Sequence, residues 1–126
     1  MNIYKEDLLD HYKNPRNCRT MLEPDINSGE YNPACGDRVE IQAKINGQFV
    51  KEVSFTGNGC VVSLATASKL TEVCINKSLN EILNFDDNFV ISLIGINLGP
   101  TRIKCALLSL QALKKGIDKL NSKHGL

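Results

Sequence analysis

The sequence has no long hydrophobic run, no excess of one charge sign, and little proline or glycine. No stretch of 18 apolar residues occurs, so no membrane-spanning helix is predicted. The 15 Lys and Arg against 14 Asp and Glu leave a net charge of +1, which provides no overall field to attract nucleic acid or an anionic membrane. Four Pro, nine Gly and 42% hydrophobic residues exclude a collagen-like or mainly disordered chain. A single globular domain over residues 1–126 is expected, without nucleic-acid or membrane partners.

No export signal is predicted, because Lys5, Glu6 and Asp7 lie where a signal peptide needs apolar residues. A cytoplasmic location is therefore expected, where the five cysteines stay reduced. An odd number of thiols cannot all pair within one chain, and neither a Cys-x-x-Cys pair nor a zinc-finger spacing occurs. Metal or sulfur chemistry at cysteine is thus favoured over a disulfide framework.

The apolar pattern predicts strands early in the chain and helices late. Residues 39–45 alternate between apolar and polar, Asn46-Gly47 is typical of a tight hairpin turn, and residues 49–55 alternate again, with Phe49, Lys51, Val53 and Phe55 at every second position. A short helix over residues 4–14 ends before Pro15, and the connection up to residue 33 holds at most one edge strand. Further helices are predicted over residues 61–73, 79–83 behind a capping box, 88–94 with Gly95 as the stop, and from Thr101 to about 120. The fold class is therefore α+β, a small antiparallel sheet of about three strands packed on one face by several α-helices.

Three of the cysteines fall at predicted boundaries of these elements. Cys35 precedes a strand, Cys60 begins a helix after the glycine-rich residues 57–59, and Cys105 lies near the start of the last helix. Thiols near a helix N-terminus are favoured as thiolates, the form that binds metal or attacks sulfur. Cys35-Gly36-Asp37 also puts a thiolate and a carboxylate where both can reach one cation. The alternative at this point is that residues 57–60 are an ordinary turn between strand and helix.

The remaining candidates favour structural or solvated roles. Cys18 and Cys74 are expected to be structural or incidental, and His11 and His124 to be solvated. A solvated face of the last helix, rather than a nucleic-acid patch, is the interpretation of four lysines: Lys114, Lys115, Lys119 and Lys123.

Four short segments together resemble a known family. They are residues 11–17 (HYKNPRN), 32–37 (NPACGD), 57–60 (GNGC) and 102–106 (RIKCA). In this order and at these separations they resemble the IscU/NifU N-terminal family of iron–sulfur cluster assembly proteins, which includes the SufU branch. The resemblance covers nearly the whole chain.

The resemblance implies a scaffold, rather than an enzyme, that receives persulfide sulfur from a cysteine desulfurase. Such a scaffold assembles a transient [2Fe–2S] cluster with iron and transfers it to apo iron–sulfur proteins. The implied ligands are Cys35, Asp37, Cys60 and Cys105. A carboxylate is a harder and more exchangeable ligand than a thiolate, which suits a cluster that must leave. Three thiolates and one carboxylate also suit tetrahedral Zn²⁺ at the same site.

Two features divide the branches of the family. Lys104 stands where the IscU branch has His directly before its last cysteine, which resembles SufU and makes a zinc-dependent sulfur acceptor, or sulfurtransferase, the alternative function. The Lys104 ammonium could stabilise thiolate or persulfide charge, and either Cys35 or Cys105 is the candidate persulfide acceptor. Residues 78–100, however, are too few for the extra segment of the SufU branch. Residues 98–102 also depart from the sequence that a dedicated Hsp70 chaperone reads in the IscU branch, so the resemblance does not extend to that partner.

Overall fold

Five helices and three strands make up the computed structural model, which describes residues 3–123. In chain order they are α1 (Ile3–Lys13), β1 (Ile26–Asn32), β2 (Asp37–Asn46), β3 (Phe49–Asn58), α2 (Val61–Cys74), α3 (Leu79–Leu83), α4 (Asp87–Ile94) and α5 (Pro100–Lys123). The strands form one antiparallel sheet in the order β1-β2-β3. The predicted α+β class is confirmed, and β1 is the edge strand expected in the long connection.

The predicted hairpin between β2 and β3 is confirmed, with one difference in the returning strand. The pairing register shifts by one residue between Lys44 and Ile45. This bulge turns Val50 toward the core and leaves Phe49 exposed. The prediction that Phe49 continues the alternation of Val53 and Phe55 is therefore wrong, because a bulge reverses the faces of the strand beyond it.

Helices α2 and α5 pack against one face of the sheet and enclose the core. The opposite face is polar, and Arg38 and Glu40 of β2 are exposed there. The sheet side of the core is a set of nearly inaccessible apolar residues: Ile26, Val39, Ile41, Ala43, Val50, Val53 and Phe55. This one-sided packing brings the start of α2 and the first turns of α5 to the same end of the sheet as the β1–β2 turn.

The first short helix has its predicted bounds, and the second begins one residue earlier than predicted, at Asp87. The backbone N–H of Glu81 donates to the Ser78 hydroxyl at 3.0 Å, and the Glu81 carboxylate accepts from the Ser78 backbone N–H, which completes the capping box. Asp86 caps α4 by accepting from the Phe89 N–H at 2.8 Å, and Gly95 ends that helix.

Helix α1 packs against α2, and its buried face includes a histidine that was predicted to be solvated. Leu8 and His11 are its buried residues, whereas Tyr12 is exposed. The His11 Nδ1 atom lies 2.7 Å from the Ser68 hydroxyl, which also accepts the Arg16 backbone N–H at 2.8 Å. The prediction of a solvated His11 is therefore wrong, because Leu8 and His11 are three residues apart and share the face that meets α2. The second histidine, His124, lies outside the described residues.

The other side chains that were predicted to be structural or solvated lie away from Cys35, Cys60 and Cys105. Cys74 is the last residue of α2, and burial raises the pKa of its thiol to about 12. Cys18 is exposed and forms a backbone bridge with Phe55. Lys115 approaches Glu30 at 3.5 Å, with both side chains partly exposed. Within residues 3–123, no helix combines the length and apolar character needed to cross a membrane.

Candidate metal centre

The turn between β1 and β2 carries two of the predicted ligands. Asn32 and Asp37 are paired across the strands, so the four residues between them form a tight connection. Gly36 has a positive φ of 78°, which glycine adopts without strain, and its N–H donates to the Asn32 carbonyl at 2.8 Å. Cys35 is thereby held at an exposed position, whereas Asp37 is only 5% exposed.

The start of α2 meets the Asp37 carboxylate. Cys60 occupies the N-cap position, and its backbone N–H donates to Asp37 Oδ2 at 3.3 Å. The Ser63 hydroxyl donates to the Cys60 carbonyl at 3.1 Å and lies 3.8 Å from the Cys60 sulfur. Any Cβ at position 59 would lie 2.9 Å from Asp37 Cγ and closer still to Ser63 Oγ. Glycine at this position is therefore what lets α2 begin so close to Asp37.

Helix α5 supplies the fourth ligand candidate, Cys105. Cys105 is 1% exposed, and its Sγ atom lies 3.3 Å from Cys35 Sγ. This separation exceeds the bond of about 2.05 Å in a disulfide, so both are free thiols. One ligand atom from each of Cys35, Asp37 and Cys105 lies within 4.8 Å of the others.

The donor set matches what a tetrahedral metal ion needs. Zinc–sulfur bonds of about 2.3 Å place two thiolates of one tetrahedral ion roughly 3.8 Å apart, a small adjustment from the separation found here. A carboxylate oxygen of Asp37 is the third ligand atom, and the three atoms lie within 4.8 Å of one another. The three residues therefore fit a thiolate-binding metal such as zinc or iron.

The electrostatics of this cluster favour a bound cation. Burial by itself raises the pKa of Asp37, but hydrogen bonds from the Cys60 side chain and backbone, and from Cys105 and Ser63, outweigh it and hold that pKa below its ordinary value. Burial also raises the pKa of the Cys105 thiol, with further contributions from Cys35 and from the Asp37 carboxylate. A metal ion here would offset the repulsion between the carboxylate and the thiolates.

Two of the predicted site residues lie beside this cluster rather than in it. Cys60 contacts Asp37 through its backbone, but its sulfur is near Ser63 and is not among the three mutually close ligand atoms. Lys104 is exposed on α5 directly before Cys105. Its side chain makes no hydrogen bond or ion pair with other residues in the described range 3–123.

The sequence analysis missed two polar residues that support the cluster. Asn32 is buried, and its side chain reaches both the turn and the Cys105 sulfur. Ser63 is buried between Cys60 and Asp37. The sequence contains a signal for each of them. Asn32 precedes a proline, which favours a turn capped by the asparagine side chain, and Ser63 lies three residues after Cys60, where the helix begins.

Comparison with known proteins identifies the family of this chain. A family model described as the NifU-like N terminal domain matches residues 3–125. The zinc-dependent sulfurtransferase SufU of Bacillus subtilis (strain 168) is 36% identical over 134 aligned positions, covering 93% of this chain and 90% of that protein. That alignment is longer than this chain of 126 residues, so the Bacillus protein has residues without a counterpart here.

Scaffold proteins of the IscU type are similar to the chain over nearly its whole length. The iron–sulfur cluster assembly scaffold protein IscU of Buchnera aphidicola subsp. Schizaphis graminum is 32% identical over 124 residues, covering 95% of each chain. Among solved structures, FiSufU of Fervidobacterium islandicum AW-1 superimposes with a TM-score of 0.78 at 25% identity, covering 91% of this chain and 96% of that one. The chain therefore belongs to the family of NifU-like N-terminal domains.

Proposed function

We propose that this protein is an iron–sulfur cluster assembly scaffold. It receives persulfide sulfur from a cysteine desulfurase, assembles a transient [2Fe–2S] cluster from that sulfur and iron, and transfers the cluster to apo iron–sulfur proteins. The observation that carries this proposal is the convergence of ligand atoms from Cys35, Asp37 and Cys105 within 4.8 Å. Membership of the family and the similarity to an IscU scaffold support it.

The cluster, as cargo, is held by Cys35, Asp37, Cys60 and Cys105. Cys60 becomes the fourth ligand when its side chain turns away from the Ser63 hydroxyl, since its backbone already lies against Asp37. Thiolates hold iron–sulfur centres firmly, whereas the Asp37 carboxylate is a harder and more exchangeable ligand. This mixed donor set provides one weak bond through which the cargo is released. The same four residues hold Zn²⁺, which keeps bound thiols deprotonated.

Sulfur enters through Cys35, because Cys35 is exposed and Cys105 is 1% exposed. The Cys35 thiolate attacks the outer sulfur of the desulfurase persulfide. A new S–S bond forms on Cys35 while the S–S bond on the desulfurase breaks, and the desulfurase cysteine leaves as a thiolate. Cys105 is the second candidate acceptor because its sulfur lies 3.3 Å away. The exposed Lys104 ammonium stabilises the negative charge of the incoming persulfide.

The second candidate function is a zinc-dependent sulfur acceptor that passes sulfur on without building a cluster. Two observations favour it: the 36% identity to the Bacillus sulfurtransferase, and Lys104 in place of the histidine of the IscU branch. In this function Cys35 again takes up the sulfur, while Asp37, Cys60 and Cys105 remain on the metal.

Sulfur transfer to Cys35 is tested by mass spectrometry after incubation with a cysteine desulfurase and free cysteine. One added sulfur atom on the peptide that contains Cys35 is expected. Cys35→Ser should abolish this uptake, whereas Cys18→Ser, a change at an exposed cysteine outside the site, should leave it intact. If neither Cys35 nor Cys105 gains sulfur, both candidate functions fail.

The role of Asp37 in release is tested by cluster transfer to an apo-ferredoxin. Asp37→Ala should slow transfer, because the exchangeable ligand is lost and thiolates hold the cluster more firmly. Glu40→Ala removes a carboxylate from the exposed face of the same strand and serves as the control. Transfer at the unaltered rate would remove Asp37 from the release step.

We further propose that residues 1–126 work as one domain in the cytoplasm. The buried apolar residues within the range 3–123, apart from Met21, form a single cluster, and the thiols of the site need a reducing compartment to remain available. The proposed partners are the desulfurase and apo iron–sulfur proteins, without a dedicated Hsp70 chaperone.

A further inference from the structure

Asn32 connects the two parts of the chain that carry the ligand candidates. It is the last residue of β1 and is 8% exposed. Its backbone carbonyl accepts the Gly36 N–H at 2.8 Å and the Cys35 N–H at 3.3 Å. On its side chain, Oδ1 accepts the Ala34 N–H at 3.1 Å, and Nδ2 donates to Cys105 Sγ at 3.9 Å. One residue thus holds the turn that carries Cys35 and contacts the sulfur supplied by α5.

The orientation of this amide is determined by its neighbours. The Ala34 backbone N–H is a donor, so it can be met only by the Asn32 oxygen. The nitrogen must then point toward Cys105. Asn32 therefore presents an N–H group, and not a lone pair, to the buried sulfur.

We propose that Asn32 is a positioning residue of the metal centre, acting on Cys105 through its side-chain N–H. This inference rests on the proposed function of the site. A hydrogen bond to a thiolate withdraws electron density from sulfur and fixes the direction of its remaining lone pairs. Asn32 thereby sets how strongly Cys105 binds metal, while its two oxygens hold the turn beneath Cys35.

The two roles of Asn32 can be separated by substitution. Asn32→Ser keeps a hydroxyl that can accept the Ala34 N–H, as serine does in turns of this type, but it is too short to reach Cys105. Asn32→Asp keeps the size and the acceptor oxygen of asparagine and removes the N–H donor. Asn27→Ser makes the same change at an exposed asparagine on the same strand and is the matched control.

The test loads the full-length protein with Co²⁺ and records the thiolate-to-cobalt charge-transfer band, followed by competition for Zn²⁺ with a chelator. For Asn32→Ser the band should move to lower energy, because sulfur without its hydrogen bond is richer in electrons. Zinc affinity should fall by about 10- to 100-fold, as is usual for loss of an outer partner of a metal ligand. Wild type and Asn27→Ser should agree in both measurements. Circular dichroism should show the same fold for all variants.

A band position and zinc affinity in Asn32→Ser equal to those of Asn27→Ser would overturn the role of Asn32 while leaving the proposed function intact. If Asn32→Ser does not fold, Asn32→Asp decides by the same band. If neither variant folds, Asn32 acts on stability alone and the inference is wrong. Absence of any thiolate-to-cobalt band in the wild-type protein would instead overturn the metal centre, and the inference with it.

Discussion

Two buried polar clusters of this protein contain residues that can bind metal, and they differ in how their polar atoms are satisfied. Beneath α1, His11 Nδ1 and the Arg16 N–H both meet the Ser68 hydroxyl, at 2.7 and 2.8 Å. In the metal centre, the Cys35 and Cys105 sulfurs lie 3.3 Å apart, their contacts with Asn32 are long at 3.9 Å, and the remaining partner of Cys105 is the Asp37 carboxylate, itself a ligand candidate. A histidine with strong protein partners serves the fold, whereas weakly partnered thiols remain available for a ligand.

The carboxylates of the two clusters differ in how far they are exposed to water. Asp7 and Glu72 lie 3.9 and 3.6 Å from His11 Nε2, but their side chains are about half exposed. Water screens such charges, so they add little to binding or stability. Asp37 is buried and receives the Cys60 N–H, so water screens its charge on the neighbouring thiols less than it screens Asp7 and Glu72. The function of a charged cluster therefore depends on its burial as well as on its composition.

The largest expected effect comes from removing the buried sulfur of the metal centre. Cys105→Ser should lower zinc affinity by at least about 100-fold, because loss of an outer partner alone is worth about 10- to 100-fold and this change removes a ligand. Metal analysis after chelator competition is the measurement. Cys18→Ser is the control and should retain zinc fully, since Cys18 is exposed elsewhere. Zinc retained by Cys105→Ser would show that Cys105 is not a ligand.

A smaller effect is expected from crowding the metal centre without replacing a ligand. Gly59→Ala puts a methyl group against Asp37 and Ser63, which should cost about 1–3 kcal/mol of unfolding free energy and weaken zinc binding. Gly99→Ala is the matched control, because nothing lies within 4 Å of its new methyl group. Denaturant unfolding and zinc competition measure the two effects. Equal results for both variants would mean that the approach of α2 to Asp37 is not tight.

The cluster beneath α1 should affect stability and not metal. His11→Gln should lower the unfolding free energy by about 1–2 kcal/mol at neutral pH, because the buried Ser68 hydroxyl loses the ring nitrogen as a close partner, and zinc affinity should not change. Denaturant unfolding measures the free energy of unfolding, and chelator competition measures the zinc affinity. A large loss of zinc affinity in this variant would contradict the separation of the two clusters.

The same cluster should make stability depend on pH. Burial and the charge of Arg16 lower the pKa of His11, while Asp7 and Glu72 oppose them less strongly. The unfolded state, in which histidine titrates near pH 6.5, therefore binds a proton first as the pH falls. The free energy of unfolding should decrease below about pH 6.5, by up to about 1.4 kcal/mol per pH unit from this group. The free energies of unfolding of wild type and His11→Gln, measured as a function of pH, should diverge in this range. A parallel pH dependence of the two proteins would contradict the burial of a neutral His11.

The smallest effect is expected at the exposed edge of this cluster. Glu72→Gln removes a carboxylate that raises the pKa of His11, so that pKa should fall further while stability changes by less than about 1 kcal/mol. An NMR titration of the His11 ring measures the direction in which its pKa changes. A rise of the His11 pKa in this variant would mean that Glu72 does not face the ring in solution.

Most of the fold could be predicted from the sequence, because its signals are local. The alternation over residues 39–45, the Asn46-Gly47 turn and the Ser78 capping box each act within a few residues. The exposure of Phe49 could not be predicted, since a bulge depends on the pairing of two strands. The burial of His11 depends on Ser68, which is 57 residues away in the chain.

The candidate site could be predicted in part for the same reason. Cys35-Gly36-Asp37 is a local motif, and the resemblance to the family joined it to Cys105. The contacts of Asn32 and Ser63 within the site cross between elements and follow only from how α2 and α5 pack on the sheet. The position of the Cys60 sulfur beside Ser63 likewise depends on a side-chain rotation that no spacing encodes.

The most direct measurement is anaerobic reconstitution of the protein with iron, cysteine and a cysteine desulfurase, followed by analysis of iron, labile sulfide and visible absorption. A cluster scaffold should yield about one labile sulfide per iron, as in a [2Fe–2S] centre, and its colour should transfer to an apo-ferredoxin. One tightly bound zinc per chain with sulfur on Cys35 and no colour would identify the sulfur-acceptor function instead. Neither bound metal nor added sulfur would contradict the claim that Cys35, Asp37 and Cys105 form the functional site.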